Sequence, residues 1–192
     1  MGAMRSFFVL RVRTAPVFVW SLLMKRKTRY LVHSAIIAAL YVVLTHLQNI
    51  LLPGSATWAV QFRASEALCV LALFTPAAIP GLSLGCLLFN ITYAQALPLD
   101  FLAGTLATAV AAAFMWKSRD LTVKGYPVFS LLMPAVWNAL IVGWELSVYI
   151  GGAFFTNAAL VAAGELGVLF TLGTALFYAI KLRRLDHRLF GD

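Results

Sequence analysis

The chain has 192 residues, of which 62% are hydrophobic and only 11% are charged. A soluble domain is about half apolar and a quarter charged, so this composition excludes a soluble globular domain. A membrane-spanning helix needs ~20 mostly apolar residues, and the length allows about five or six such helices. The formal net charge of +8 does not indicate a nucleic-acid partner, because the Lys and Arg residues cluster between apolar runs.

Residues 1–24 are predicted to be an N-terminal extension, either interfacial or disordered. Arg11, Arg13 and Pro16 interrupt its apolar residues, and a span containing them would be costly in lipid. Residues 25–192 are predicted to form one membrane domain.

Six hydrophobic segments follow and predict an all-α membrane protein, a bundle of six transmembrane helices. Pro76 and Pro80 separate the second segment from the third, because proline ends one helix and can begin another. The second and third segments are short for membrane spans. The six segments cover residues 30–50, 64–74, 79–93, 101–116, 128–150 and 157–182.

The Lys and Arg residues alternate between the two sides of this bundle. Clusters precede the first segment, occupy the gap between the fourth and fifth, and follow the sixth, whereas loops 51–62, 94–99 and 151–155 contain none. Because Lys and Arg are retained on the cytoplasmic side, the pattern predicts a multi-pass cell-membrane protein with both termini in the cytoplasm.

Small residues recur one helical turn apart. Ala35 and Ala39 share a face of the first segment, and Gly81 and Gly85 form GxxxG on the third. Small residues let helices approach closely in lipid. Packing within the chain is the simpler interpretation, and a docking face for another membrane subunit is the alternative.

Four carboxylates, those of Glu66, Asp100, Glu145 and Glu165, fall toward the predicted outer ends of four different segments. A charged group at membrane depth costs about 2.5–3.5 kcal/mol on insertion scales, so such groups are expected to face a cavity or a partner. Their shared depth predicts a polar cavity that opens outward.

Two of these carboxylates also have structural interpretations. Arg63 lies one turn before Glu66 and can pair with it, either as a structural clamp or within the site. Asp100 follows Leu97-Pro98-Leu99 and is expected to be the N-cap of the fourth helix.

Glu145 and Glu165 indicate ligand binding more directly. Asn138 and Glu145 are seven residues apart on one helical face, and glycines flank Glu165. Each carboxylate could make an interhelical hydrogen bond. Alternatively, one could accept two parallel N–H bonds from the edge of a guanine-type base, while another holds a cationic substituent.

Aromatic residues lie near the same level of the bundle. Anchoring at the membrane interface is their usual role, and stacking on a flat heterocycle is the alternative. They are Trp58, Phe62, Trp144 and Tyr149.

The sequence contains no HExxH, GxSxG or P-loop motif, so we expect no enzyme, no cofactor and no metal site. His33 and His46 lie too far apart along the first segment to share a metal. Cys69 and Cys86 have no metal-ligand spacing and are interpreted as small buried hydrophobes. Without a P-loop, energy for active transport has to come from other subunits.

Several blocks resemble the QueT family, the substrate-binding S components of energy-coupling factor (ECF) transporters assigned to queuosine precursors. Their joint occurrence from about Lys25 to the end of the chain is what makes the resemblance specific. The blocks are QFRASEAL at 61–68, FTPAAIPGL at 74–82, GCL at 85–87, DFLAGTLAT at 100–108, WNALIVGWEL at 137–146 and GEL at 164–166.

The resemblance implies that residues 25–192 form a six-helix substrate-binding domain of the ECF S-component type. Loop 51–62 would act as a lid over a cavity near the outer face. The expected ligand is a deazaguanine base, queuine or its aminomethyl precursor, taken up as a micronutrient. The expected partners, besides the lipid bilayer, are two ATPase subunits and a transmembrane coupling subunit docked at Ala35 and Ala39.

With such a ligand, Glu145 or Glu165 would bind the guanine-like edge, and Glu66 or Asp100 would meet a cationic substituent. The other candidate substrate-binding residues are Asn138, Asn90, Gln61, Arg63, Trp58, Phe62 and Trp144. The alternatives are an S component for another small vitamin or base, a non-transport membrane scaffold, and an intramembrane enzyme with paired carboxylates.

Overall fold

The computed structural model describes residues 26–53, 55, 62–93 and 96–190. The predicted N-terminal extension and much of the predicted lid, including Trp58 and Gln61, lie outside the described residues. The described chain consists of helices joined by turns and contains no β-strand. The main helices are α1 (Arg26–Leu51), a 3-10 helix (Ala64–Leu73), α2 (Ala78–Thr92), α3 (Asp100–Ser118), α4 (Val128–Tyr149) and α5 (Phe154–Leu182), and a short π-helical turn (Asp186–Phe190) follows α5.

These six main helices match the six predicted segments within a few residues, but they differ in length relative to the thickness of a bilayer. Helices α1, α3, α4 and α5 are long and apolar enough to cross a membrane. Helix α2 has 15 residues and is about 22 Å long at the usual helical rise. The hydrocarbon core of a bilayer is about 30 Å thick, so the six-span count stays a prediction.

The second segment forms a 3-10 helix of 10 residues instead of the expected α-helix. A 3-10 helix rises about 2.0 Å per residue, against about 1.5 Å in an α-helix, so these 10 residues extend about 20 Å. Residues 65–73 are all buried, and Cys69, Val70 and Ala72 have no exposed surface. Helices α1 to α5 pack in chain order around this central helix, which contacts all five. A segment apolar on every side is stable only in such a central position.

The GxxxG motif of α2 packs inside the chain. A Cβ atom at Gly85 would lie 2.6 Å from the Cβ of Tyr41, which no side chain tolerates, and Gly81 meets Ser34 and Ile37 of α1 in the same way. The two helices are therefore held in close contact, and Tyr41 is fixed with no exposed surface.

Two helices are irregular near polar residues. Pro134 lies inside α4, one turn before Asn138, and proline removes a backbone hydrogen bond at that point. A π-helical turn at Leu169–Gly173 interrupts α5 one turn after Glu165. Such π-bulges concentrate at functional sites.

Candidate functional site

The four carboxylates predicted to share one depth are all buried. Glu145 has no exposed surface, and Glu66, Glu165 and Asp100 are at most 4% exposed. Arg63, 5% exposed, interacts electrostatically with all four. Four helices thus bring five charged side chains into one buried group, which we call the polar cluster: Arg63, Glu66, Asp100, Glu145 and Glu165.

Glu66 is held on both sides by neighbouring side chains. It lies in the first turn of the 3-10 helix. The Tyr41 hydroxyl donates to its Oε1 at 2.5 Å, and the Cys69 thiol donates to its Oε2 at 3.1 Å. Both carboxylate oxygens therefore have protein partners.

Arg63 extends from the N-cap of the 3-10 helix toward α2. Its Nη1 lies 3.9 Å from Cys86 Sγ, and its guanidinium carbon is 5.8 Å from the centre of the Phe89 ring. A Cβ atom at Gly104 would lie 2.9 Å from the Asn90 amide nitrogen and 4.0 Å from Arg63 Nη1. Glycine at this position lets α3 approach closely, so that its backbone forms part of the wall beside the guanidinium.

Asp100 is not the predicted N-cap, because Leu99 holds that position and Asp100 is the first residue of α3. Its carboxylate turns back instead, and Oδ2 accepts a hydrogen bond from the Leu97 N–H at 2.7 Å. The Asn90 amide donates to the Asp100 main-chain oxygen at 2.7 Å. These two bonds fix the start of α3 relative to α2.

Glu165 is only partly satisfied. The Asn138 amide of α4 donates to its Oε1 at 2.9 Å. Its Oε2 is buried and has no hydrogen-bond partner among the described residues. The interhelical bond and a free acceptor thus coexist on one side chain.

Glu145 is completely buried. Neither of its carboxylate oxygens has a hydrogen-bond partner in the described part of the chain. Its side chain lies within hydrogen-bonding reach of the Asp100 carboxylate. Two ionised carboxylates can only accept hydrogen bonds, so this contact needs a proton or a cation to hold it together.

Those predicted aromatic residues that the structure describes do not join the polar cluster. Trp144 is 54% exposed although it neighbours Glu145 in sequence, and Phe62 and Tyr149 are 39% and 42% exposed. Their positions on the bundle surface suit membrane-interface anchoring. Trp58 and Gln61 lie outside the described residues.

Sequence reasoning missed three members of the polar surroundings. Tyr41, Cys69 and Cys86 all contact cluster residues, and the two cysteines are therefore more than small apolar side chains, although they are buried as predicted. A signal for Tyr41 existed, because Ser34, Tyr41 and Thr45 share one buried face of α1 at helical spacing. The thiol contacts have no such sequence signal.

Gln48 joins both ends of the predicted lid. Its amide nitrogen donates to Ser55 Oγ at 2.8 Å and to the Phe62 carbonyl, while its Oε1 accepts from the Ala64 N–H at 2.6 Å. The side chain is 8% exposed. The loop thus leaves and re-enters the bundle at a single anchored point on α1, beside the start of the 3-10 helix.

No group of three His, Cys, Asp or Glu side chains that could hold a metal ion occurs among the described residues. The unsatisfied oxygens of Glu145 and Glu165 are hydrogen-bond acceptors.

Comparison with known proteins identifies the family. A family model described as QueT transporter matches residues 31–182. Neither the curated proteins nor the solved structures gave a match. The family match and the apolar helices make this a multi-pass membrane protein of a transport system. Since the matched region covers most of the sequence, the chain belongs to the QueT transporter family.

Proposed function

We propose that this protein is the substrate-capturing S subunit of an ECF-type uptake transporter and binds a queuosine precursor. The ligand would be a deazaguanine base, queuine or its aminomethyl precursor. One observation carries the proposal: the buried carboxylates of Glu145 and Glu165 keep acceptor oxygens that no described residue satisfies. Buried polar groups in proteins are nearly always hydrogen-bonded, so a bound molecule is the natural donor.

Glu165 is the best candidate for the guanine-like edge. The Asn138 amide fixes its Oε1 at 2.9 Å and leaves Oε2 as an acceptor. The amidine-like edge of a guanine-type base presents parallel N–H groups, which a carboxylate and a neighbouring amide can bind together. Glu66 and Arg63 would form the fixed wall of the site, since their contacts with Tyr41, Cys69 and Cys86 hold them in place.

The proposed partners are a transmembrane coupling subunit and two ATPase subunits, with both termini of this chain in the cytoplasm and six membrane crossings. Ala35 and Ala39 support this arrangement, because both are exposed on α1. Only 22% of the most apolar part of α1 is buried within the protein. In lipid, a face of small residues favours contact with another helix.

Equilibrium binding to the purified protein tests the proposal. The wild type should bind the aminomethyl deazaguanine base saturably, and mass spectrometry of the purified protein should detect a base of this class. Glu165→Gln should weaken binding roughly 10- to 100-fold, since a hydrogen bond to a charged group is worth about 1.5–3 kcal/mol. Trp144→Phe, at an exposed position on α4, is the control and should bind as the wild type does.

A competition panel separates this proposal from its alternatives. If a purine, thiamin or riboflavin displaces the deazaguanine and binds more tightly, the protein is an S component for another small molecule. If none of these compounds binds saturably to folded protein, the S-subunit proposal fails and a scaffold role gains support.

A further inference from the structure

The polar cluster contains more acidic than basic side chains. It contains four buried carboxylates and one cation, Arg63. No other Lys or Arg occurs in the sequence between Arg29 and Lys117, and none occurs between Lys124 and Lys181. One guanidinium can compensate one negative charge, and isolated buried carboxylates are strongly disfavoured. The remaining charge needs protons, or a cation that the polar cluster itself does not contain.

The hydrogen bonds show which carboxylates lack donors. Glu66 receives two donors, and one oxygen of Glu165 receives the Asn138 amide. Glu145 receives none from any described residue and has no exposed surface. It lies on α4 opposite Asp100 of α3, so the missing donor belongs between these two carboxylates.

The bonds of Asp100 leave it suited to such a donor. Its Oδ2 is directed by the Leu97 N–H at 2.7 Å, and its backbone oxygen is fixed by Asn90. The Asp100 carboxylate is therefore held in place beside Glu145 by contacts that are independent of any ligand. An ammonium group carries three N–H donors and bonds strongly to ionised acceptors, so one ammonium can bridge both side chains.

We propose that Glu145 and Asp100 form a subsite for a protonated amine, so that the protein selects cationic ligands over neutral ligands of the same shape. This inference rests on the proposed function and adds a charge requirement to it. Glu165 and Asn138 would bind the planar base, and the Glu145–Asp100 pair would bind an amine on another edge of the same molecule.

Two ligands that share one ring system test the subsite on the full-length protein in detergent or nanodiscs. The aminomethyl deazaguanine carries a protonated amine, and its nitrile counterpart is neutral. The wild type should bind the aminomethyl compound at least tenfold more tightly. Glu145→Gln should weaken binding of the aminomethyl compound roughly 10- to 100-fold and change binding of the nitrile compound less than threefold.

Asp100→Asn is the second variant, because its side-chain oxygen can still accept from the Leu97 N–H. It should show the same selective loss. Asp120→Asn is the charge-matched control: Asp120 lies outside the polar cluster with a side chain that is 84% exposed, and its removal should leave both affinities unchanged.

The possible outcomes distinguish a failure of the amine subsite from a failure of the proposed function. If the wild type binds neither compound, the proposed function fails. If it binds both equally, or if Glu145→Gln weakens both by the same factor, the amine subsite is wrong and the proposed function stands. If Na⁺ or Mg²⁺ alone raises the melting temperature and competes with the amine, the pair binds an inorganic cation and the inference is overturned.

Discussion

The two ends of the central 3-10 helix lie in opposite environments. Its first turn carries Glu66 beside Arg63, and the neighbouring polar groups are the Tyr41 hydroxyl of α1 and the Cys86 thiol and Asn90 amide of α2. Its last turns carry only apolar residues. The large apolar side chains packed near this second end include Leu71, Leu73, Met115, Leu131, Leu169, Phe177 and Ile180. We call these regions the polar end and the apolar end.

We expect the apolar end to contribute mainly to stability and the polar end mainly to ligand binding. At the apolar end, no described residue has a buried side-chain polar atom without a hydrogen-bond partner. At the polar end, Glu66 is fully bonded whereas Glu145 is not. Such unsatisfied groups cost stability and persist where function requires them. Substitutions at the two ends should therefore have different, and in one case opposite, effects on unfolding.

The largest effect is expected at the apolar end. Leu131 has no exposed surface and belongs to the main core cluster. Leu131→Ala should lower the free energy of unfolding by about 2–4 kcal/mol, because it removes buried methyl groups and leaves a cavity. Chemical denaturation of the purified protein measures this effect. Leu140→Ala, at a 48% exposed position on the same helix, is the control, and an equal loss there would contradict the assigned core.

A smaller loss is expected from Tyr41→Phe at the polar end. The Tyr41 hydroxyl is the buried donor to Glu66 Oε1, so its removal leaves a buried carboxylate oxygen unsatisfied at a cost of about 1–3 kcal/mol. Thermal unfolding should show this decrease. Tyr30→Phe is the matched control, since Tyr30 is 40% exposed and its hydroxyl lies 3.4 Å from the Pro76 carbonyl. Equal melting temperatures for the two variants would show that the bond to Glu66 contributes nothing.

The smallest effect should have the opposite sign. In ligand-free protein, Glu145→Gln should raise the free energy of unfolding by about 1 kcal/mol, because it replaces a buried carboxylate to which no described residue donates a hydrogen bond. Glu66→Gln should lower it, because Tyr41 and Cys69 already satisfy that carboxylate. Parallel unfolding of the two variants makes the comparison. Destabilisation of both to the same extent would mean that Glu145 is as well bonded as Glu66.

The sequence pattern predicted the positions of the six segments well. Apolar runs favour burial of the residues that form them, and a proline removes a helical backbone hydrogen bond at its own position. The pattern did not predict that the second segment is a 3-10 helix. The choice between helix types is made by packing, because ten residues surrounded by five helices gain from a longer rise and a thinner cross-section.

Part of the candidate site could also be predicted from the sequence. Buried carboxylates are expensive in lipid wherever they occur, so Glu66, Asp100, Glu145 and Glu165 stand out in the sequence. Whether a carboxylate is satisfied depends on side chains distant along the chain. Tyr41 reaches Glu66 across 25 positions, and Asn138 reaches Glu165 across 27. The aromatic candidates that the structure describes lie outside the cluster, and helical rotation turns Trp144 outward beside the buried Glu145.

The sequence by itself determined a membrane-embedded helical protein, the order of its segments and the four carboxylates that lipid would reject, because composition and periodicity act locally. Only the tertiary structure decided which of those carboxylates are satisfied. Hydrogen-bond partners come from helices far apart in the chain, and their geometry is fixed by close contacts such as that of Gly85 with Tyr41.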